Sequence, residues 1–226
     1  GKNAQVMTMD CYLPGGVRGQ DNYACMVFSG TDACVLHPME RWDYADYCTA
    51  GDDWVATFKS YTKHGGFLTA GMLQQFDADF FGIDGEHAKC ICPNQRMVME
   101  TGYMCMAKAG HTKHTLFGEN IGFFIGDVGM DWHAAAPEWS TMAPYVASPQ
   151  MVNNGLHVGI TSSRFSHMYN LTGPVHTVDT ACSSSLVSLQ AGHKQMMHMD
   201  TDKNKIGSVT APHSILAGGV NVLMTP

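Results

Sequence analysis

The order of apolar and polar positions predicts buried strands that alternate with helices. The run IGFFIGD at residues 121–127 is almost wholly apolar, which predicts a buried strand. A second apolar run, SILAGGVNVLM, lies near the end of the sequence at residues 214–224 and predicts a final buried strand. Residues 175–181 are rich in valine and threonine, which favour extended structure. This alternation of buried strands with helical segments indicates an α/β layered domain.

Helical signals mark three segments before and between these strands. Pro93 suits the first position of a helix, and Gly110 can close the end of the same helix. Residues 153–169 predict a second helix, and the serines after Cys182 predict the start of a third. In the first of these helices, residues recur at intervals of three and four: Met97, Thr101, Met104, Cys105 and Lys108.

The remaining segments predict connections and smaller elements. Residues 5–13 predict a short strand that stops at the turn 14–16, Pro-Gly-Gly. The loop-rich region 17–66 is expected to hold one or two short helices, and the aromatic cluster FDADFFGI at 76–83 to anchor a loop. Residues 129–150 predict a surface excursion, and residues 200–210 a polar loop.

Composition is typical of a globular protein. The chain has 226 residues, of which 45% are hydrophobic and 15% charged. A net charge of −7 without a basic stripe argues against nucleic-acid binding. No apolar run approaches the length of a membrane span, and no secretory signal is visible. We therefore expect a soluble protein of the cytoplasm or of a plastid stroma.

The cysteines point to free thiols. Their spacing is irregular and contains no CxxC pair, which argues against a zinc site. A chain of this length without a secretory signal is not expected to carry a disulfide framework. The eight residues are Cys11, Cys25, Cys34, Cys48, Cys90, Cys92, Cys105 and Cys182.

Cys182 differs from the other cysteines because it lies where a predicted strand meets a predicted helix. A sharp turn there would expose the sulfur, and a helix N-terminus favours the thiolate form. The first helical N–H groups can also hydrogen-bond an oxyanion on an attacked acyl carbon. The small neighbours Ala181 and Ser183 leave room for an acyl group. From the turn alone, a buried structural cysteine remains the alternative.

The segment GPVHTVDTACSSSLVSL at 173–189 closely resembles the active-site segment of β-ketoacyl synthases, especially those of modular type I polyketide synthases. Other segments resemble the family in the same order along nearly the whole chain: CYLPGG at 11–16, ERWD at 40–43, FDADFFGI, PNQRMVMET and AGGVNVLMTP at 217–226. The methionine-rich variation further suggests a protist source, such as a dinoflagellate.

This resemblance implies a thiolase-like α/β fold of two similar halves, with residues 1–226 forming the N-terminal half. It implies that Cys182 accepts an acyl group from an acyl carrier protein before decarboxylative Claisen condensation, and that its N–H forms part of the oxyanion hole. Substrates would arrive on phosphopantetheine, and no metal or directly bound cofactor would be needed.

Two departures from the family pattern affect this interpretation. Cys92 stands before Pro93 where the family has Asp, and we expect a lost helix cap costing about 1 kcal/mol.

The family's catalytic histidines, lysine and oxyanion-hole phenylalanine lie in its second half. His176 is expected to point away from Cys182. The other histidines considered are expected at the solvated surface: His111, His114, His193 and His198.

Three functions therefore remain open for the chain. It is a condensing enzyme that requires the C-terminal half or a complementary chain, a non-catalytic structural subunit, or a cysteine hydrolase. The hydrolase lacks the expected glycine-flanked elbow and a positioned histidine. The chain could be part of a longer synthase, half of a split enzyme or a truncated relative. Alone it would expose apolar faces, so we expect a dimer or larger assembly, with residues 165–181 at a subunit interface.

Overall fold

The computed structural model describes residues 3–49, 58–129, 131–132, 154–155, 157–198 and 211–225. The predicted surface excursion lies almost entirely outside these ranges, and the predicted polar loop lies wholly outside them. In chain order the elements are β1 (Tyr12–Leu13), β2 (Val17–Arg18), α1 (Gly19–Ser29), β3 (Cys34–Leu36), α2 (Tyr44–Tyr47), β4 (His64–Gly66), α3 (Ala70–Gln74), α4 (Ala78–Phe81), α5 (Gly85–Cys90), α6 (Pro93–Lys108), α7 (Lys113–Leu116), β5 (Ile121–Asp127), α8 (Ile160–Met168), β6 (Val175–Val178), a 3-10 turn (Ala181–Ser183), α9 (Ser184–His198) and β7 (Ser214–Val220).

A parallel sheet with the strand order β6-β5-β7 forms the centre of the fold. All seven residues of β5 are buried, which is the reason that its sequence is apolar on both faces. The predicted central strand is therefore confirmed at its bounds. The other two strands are shorter than predicted, because β6 ends at Val178 and β7 ends at Val220.

Helix α9 packs on one face of the sheet, where glycines allow it to approach closely. A Cβ atom placed on Gly192 of α9 would lie 2.6 Å from Ile215 Cδ1 of β7. A Cβ atom on Gly219 of β7 would lie 2.8 Å from Ser185 Cβ of α9. Both distances are too short for carbon atoms in contact. At Gly192 the end of the Ile215 side chain would have to move, whereas at Gly219 a side chain would push against the Cβ atom of Ser185 and so against α9 itself.

Helices α6 and α8 cover the opposite face of the sheet. The rings of Phe123 in β5 and Phe165 in α8 stack with their centroids 4.7 Å apart. Gly102 of α6 packs against the Phe165 ring. Val98, Leu116 and other buried apolar residues complete this main core. The two faces together form helix–sheet–helix layers, in agreement with the predicted α/β layered domain.

The N-terminal strand prediction is largely wrong. Only residues 12–13 are extended as a strand, and they pair with β2 across the predicted turn. The preceding segment instead lies along α6. There, the Thr8 hydroxyl donates to the Cys105 carbonyl oxygen over 3.0 Å, and Lys108 Nζ lies 3.2 Å from Asp10 Oδ1.

Two helix predictions also require correction. The helix predicted over residues 153–169 is interrupted: Asn154 and Gly155 are helical, and the last described helix before β6 begins at Ile160. The carbonyl groups of Asn154 and His157 accept hydrogen bonds from the Gln95 side chain, which ties this segment to α6. Helix α6 keeps a cap, because the Gln95 N–H donates to Cys92 Sγ over 3.5 Å.

Candidate active site

Cys182 lies in the 3-10 turn between β6 and α9, at the carboxyl end of the parallel strands. Its side chain is exposed to solvent. The preceding residue, Ala181, has a φ angle of 53°, in the left-handed region that residues with a Cβ atom seldom adopt. The backbone therefore makes a sharp bend that presents the sulfur, as the sequence predicts. The next residues begin a 15-residue helix, whose first N–H groups have no intrahelical acceptor.

Hydrogen bonds on both sides of Cys182 hold this bend, which we call the elbow (residues 179–184). The Asp179 carboxylate accepts from the Ala181 N–H over 3.1 Å. The Ser183 hydroxyl donates to the Thr180 carbonyl oxygen over 2.8 Å. The Ser184 hydroxyl donates to the Ala181 carbonyl oxygen over 2.7 Å and accepts from the Thr180 N–H over 2.8 Å. The conformation around the sulfur is therefore fixed by its immediate neighbours.

The elbow rests on a glycine of the central strand. A Cβ atom on Gly126 would lie 2.6 Å from the Ser184 carbonyl carbon and 2.7 Å from Ser184 Cβ. These distances leave no room for any side chain at position 126. The absence of a Cβ atom there allows the first turn of α9 to sit directly on β5.

A buried carboxylate ends β5 on the other face of the sheet. Asp127 accepts hydrogen bonds from Thr161 Oγ1 over 2.7 Å, from Asn94 Nδ2 over 3.2 Å and from the Gly129 N–H. Burial raises the pKa of Asp127 above its usual value, and the nearby charge of Asp179 acts in the same direction. Asp127 thus belongs to a polar cluster behind the elbow.

The structure brings no histidine of the described chain into hydrogen-bonding contact with Cys182. His176 instead stacks on Phe124, with the ring centroids 5.3 Å apart. His114 and His193 are exposed and His111 is half-buried. The side chain of His198 lies outside the described part of the structure.

The sequence singles out Cys182 as a candidate but not the residues that hold its elbow. Ser184, Gly126 and Asp127 were not singled out. Their signals were weak: a serine in a run of three, a glycine within an apolar strand, and a carboxylate at the end of that strand. Their roles depend on contacts between segments that lie far apart in the sequence.

Comparison with known proteins agrees with this fold along the whole chain. The family profile described as "Beta-ketoacyl synthase, N-terminal domain" matches residues 3–226. Polyketide synthase GfsB of Streptomyces halstedii is 35% identical over 223 residues, which cover 98% of this chain and 4% of GfsB. The pikromycin polyketide synthase component PikAIII of Streptomyces venezuelae is 34% identical, over 91% of this chain and 13% of PikAIII. The chain thus spans only a small part of these relatives.

Solved ketosynthase structures share the same architecture. The ketosynthase from module 6 of the bacillaene synthase of Bacillus subtilis 168, in a cysteine-to-serine mutant form, superposes with a TM-score of 0.74 at 26% identity. That match covers 98% of this chain and 32% of the ketosynthase. The oxazolomycin ketosynthase domain OzmH KS7 of Streptomyces albus JA3453 gives a TM-score of 0.78 at 24% identity, and so supports the fold alone.

The fold is that of a thiolase-like α/β protein. The family match over almost every residue makes the assignment more specific: the chain belongs to the β-ketoacyl synthase family and corresponds to its N-terminal domain. Among the described residues, no helix has the length and apolar character needed to cross a membrane. In the same residues, no group of three or more His, Cys, Asp and Glu side chains is placed to hold a metal ion.

Proposed function

We propose that this chain supplies the nucleophile-bearing half of a condensing enzyme of polyketide synthesis, with Cys182 as the residue that accepts the acyl group. The observation that carries this proposal is the exposed sulfur on a fixed elbow at the start of a long helix. Nucleophilic cysteines need an accessible sulfur and a local environment that favours negative charge, and a helix N-terminus provides such an environment.

The proposed reaction of this half is the transfer of an acyl group between thiols. The Cys182 sulfur attacks the carbonyl carbon of an acyl thioester and forms a new carbon–sulfur bond. The bond to the carrier thiol then breaks, and that thiol leaves with a proton. The charge on the carbonyl oxygen in the tetrahedral intermediate is stabilised in part by the backbone N–H of Cys182.

The later condensation requires groups that this half does not place near the sulfur. Decarboxylation of an extender thioester leaves an enolate, whose negative charge must be stabilised. None of the described histidines hydrogen-bonds to Cys182, and the carboxylate that supports the elbow, Asp179, carries the wrong charge for this role. We therefore assign the condensation step to the combination of residues 1–226 with a C-terminal half or a complementary chain.

The proposed substrate is an acyl group carried on the phosphopantetheine arm of an acyl carrier protein. The two relatives from Streptomyces are polyketide synthases, which supports polyketide over other acyl chemistry. The sulfur is exposed, as access by a long carrier arm requires. A dimer or larger assembly completes the proposal, with residues 165–181 at the subunit interface.

The test is acylation of the purified chain by an acyl thioester, measured as the increase in intact mass. We expect one acyl adduct, and we expect it to disappear in Cys182→Ala. Cys25→Ala is the matched control, because Cys25 is another exposed free cysteine and lies on α1.

Other outcomes would overturn the proposal in distinct ways. An adduct that persists in Cys182→Ala would assign the chemistry to another thiol. No adduct together with stable incorporation into a complex would favour a structural subunit. Continuous release of free acid would favour a cysteine hydrolase, and release of carbon dioxide from a malonyl thioester would contradict the need for a second half.

A further inference from the structure

We infer that Ser184 is a positioning residue that locks the backbone on both sides of Cys182 in the geometry needed for acyl transfer. This inference rests on the proposed role of Cys182 as the acyl acceptor. It concerns a side chain that need not touch the substrate and that acts through the conformation of the elbow.

The Ser184 hydroxyl closes the elbow by two hydrogen bonds to the residues that precede the cysteine. It accepts from the Thr180 N–H over 2.8 Å and donates to the Ala181 carbonyl oxygen over 2.7 Å. The Ser184 backbone N–H donates to the same Ala181 carbonyl. Three hydrogen bonds thus join the residue after the 3-10 turn to the two residues before Cys182.

These hydrogen bonds maintain a backbone conformation that would otherwise relax. Ala181 holds a φ angle of 53°, which is unfavourable for a residue with a Cβ atom. Such a conformation persists only where surrounding contacts enforce it. If the Ser184 hydroxyl were absent, the Thr180 N–H and the Ala181 carbonyl would each lose a partner. The peptide groups flanking Cys182 could then rotate and carry the sulfur and its N–H out of alignment.

Burial distinguishes Ser184 from its neighbouring serines. Its exposed fraction is only 5%, so water has little access to replace the two hydrogen bonds. Ser183 is exposed, and its hydroxyl bonds only to Thr180. Ser185 is also exposed, and its Cβ atom faces Gly219. Ser185→Ala is therefore a matched control in the same turn of α9.

The experiment compares two reactions of the same sulfur. Acylation by an N-acetylcysteamine thioester requires both an accessible sulfur and stabilisation of the carbonyl oxygen. Alkylation by iodoacetamide forms no oxyanion and requires only a reactive, accessible sulfur. Peptide-resolved mass spectrometry gives both rates at Cys182, and the exposed Cys25 and Cys34 serve as internal references.

We expect Ser184→Ala to slow acylation of Cys182 about tenfold, while alkylation changes by less than about twofold. Ser185→Ala should leave both rates unchanged. A purely structural role would alter both reactions of Cys182 together, and would also alter the reference cysteines if the chain opened. Wild-type rates for both reactions in Ser184→Ala would overturn the inference while leaving the proposed function intact. Absence of acylation in the wild-type chain would instead overturn the proposed function.

A second measurement needs no variant and covers the case in which Ser184→Ala does not fold. Amide hydrogen exchange of the wild-type chain reports whether the Thr180 N–H is held by an acceptor. We expect its exchange to be slowed at least about tenfold relative to an unstructured peptide. Exchange at the unprotected rate would show that the lock is not formed and would overturn the inference.

Discussion

Cys92 is a buried thiol that caps α6 near two charged side chains. Burial raises the pKa of Cys92 to about 11, so the group is a neutral thiol at physiological pH. The charges of Arg96 and Arg164 lie close enough to interact with this group, and both arginines are largely buried. Arg96 Nε is also buried without a hydrogen-bond acceptor among the described residues. A neutral sulfur therefore occupies a site where two guanidinium groups favour a negative charge and the nearby Asp127 carboxylate opposes it.

Replacement of Cys92 by Asp should stabilise the fold by about 1 kcal/mol at neutral pH. A carboxylate is a stronger N-cap than a thiol, and we expect the capping hydrogen bonds and the two guanidinium groups together to exceed the cost of burial and the repulsion by Asp127. The pKa of the new carboxyl group should then fall below the unfolded value, so the gain should be present above that value and be lost as the pH falls. Chemical denaturation at pH 7 and pH 4 measures both effects.

Cys90→Asp is the control for this prediction. Cys90 is also buried, but its thiol donates to the Glu86 carbonyl oxygen, and the Glu86 charge lies nearby. A carboxylate there would be repelled and should destabilise the fold. If Cys92→Asp destabilised the chain as much as Cys90→Asp, the charge argument would be wrong.

Asp127 should make stability depend on pH, because burial raises its pKa in the folded state. A carboxyl group with a raised folded pKa favours folding at low pH and loses that contribution as the pH rises through its folded pKa. Asp127→Asn removes the ionisation while keeping the size of the side chain. We therefore expect the unfolding free energy of the variant, minus that of the wild type, to increase between about pH 4 and pH 8.

Denaturation curves of both proteins across this pH range provide the measurement. The constant offset from altered hydrogen bonds with Thr161 and Asn94 cancels in the slope. A difference that decreased with pH would mean that these hydrogen bonds outweigh burial and lower the pKa.

At the scale of elements, the contact between α9 and β5 depends on the missing side chain of Gly126. Gly126→Ala should cost about 1–3 kcal/mol through overpacking and should also slow acylation of Cys182, because the new Cβ atom would displace the elbow. Gly218→Ala in the adjacent strand is the control, since its Cβ atom would contact only Ile125 Cδ1, at 3.9 Å. Thermal unfolding and the acylation assay together test this, and equal behaviour of the two variants would refute it.

The sequence predicted those elements whose signals are local. The apolar run of β5 and the proline that opens α6 placed these elements at or within two residues of their observed ends. The turn at Cys182 was predicted because valines and threonines before it and serines after it have opposite preferences. In each of these cases the residues within the element were sufficient to predict its type and position.

Errors arose where distant contacts decide the outcome. Residues 5–11 have strand-like composition, but the Thr8 hydroxyl bonds to α6, 97 residues away in sequence. The supports of the site have the same origin, since Asp127 meets Thr161 and Asn94 from segments more than 30 residues distant. The composition of a segment does not specify which distant segment it will contact in the folded chain.

At the scale of the whole molecule, α9 exposes two leucines near its N-terminal end. Leu186 and Leu189 lie three residues apart and therefore share one side of the helix. They are 69% and 50% exposed, unusual values for leucine in a long helix. This surface agrees with the expectation that the chain alone leaves apolar faces uncovered.

The double variant Leu186→Lys/Leu189→Lys should reduce self-association of the 226-residue chain at least several-fold, because it removes exposed apolar area and adds repelling charge. Analytical ultracentrifugation at several concentrations measures this effect. Phe117→Lys is the control, since Phe117 is 63% exposed but lies at the end of α7. An equal effect of both variants would indicate a general influence of charge and not a specific surface.

The order β6-β5-β7 leaves β7 at the border of the sheet, with no further strand paired to it among the described residues. A polypeptide that joined there would bind through main-chain N–H and C=O groups. Side-chain replacements along β7 would then alter recognition only slightly, whereas a single proline would remove a donor and interrupt the ladder. Complementation of this chain by another polypeptide would therefore tolerate wide sequence variation at this border and still be abolished by one imino acid.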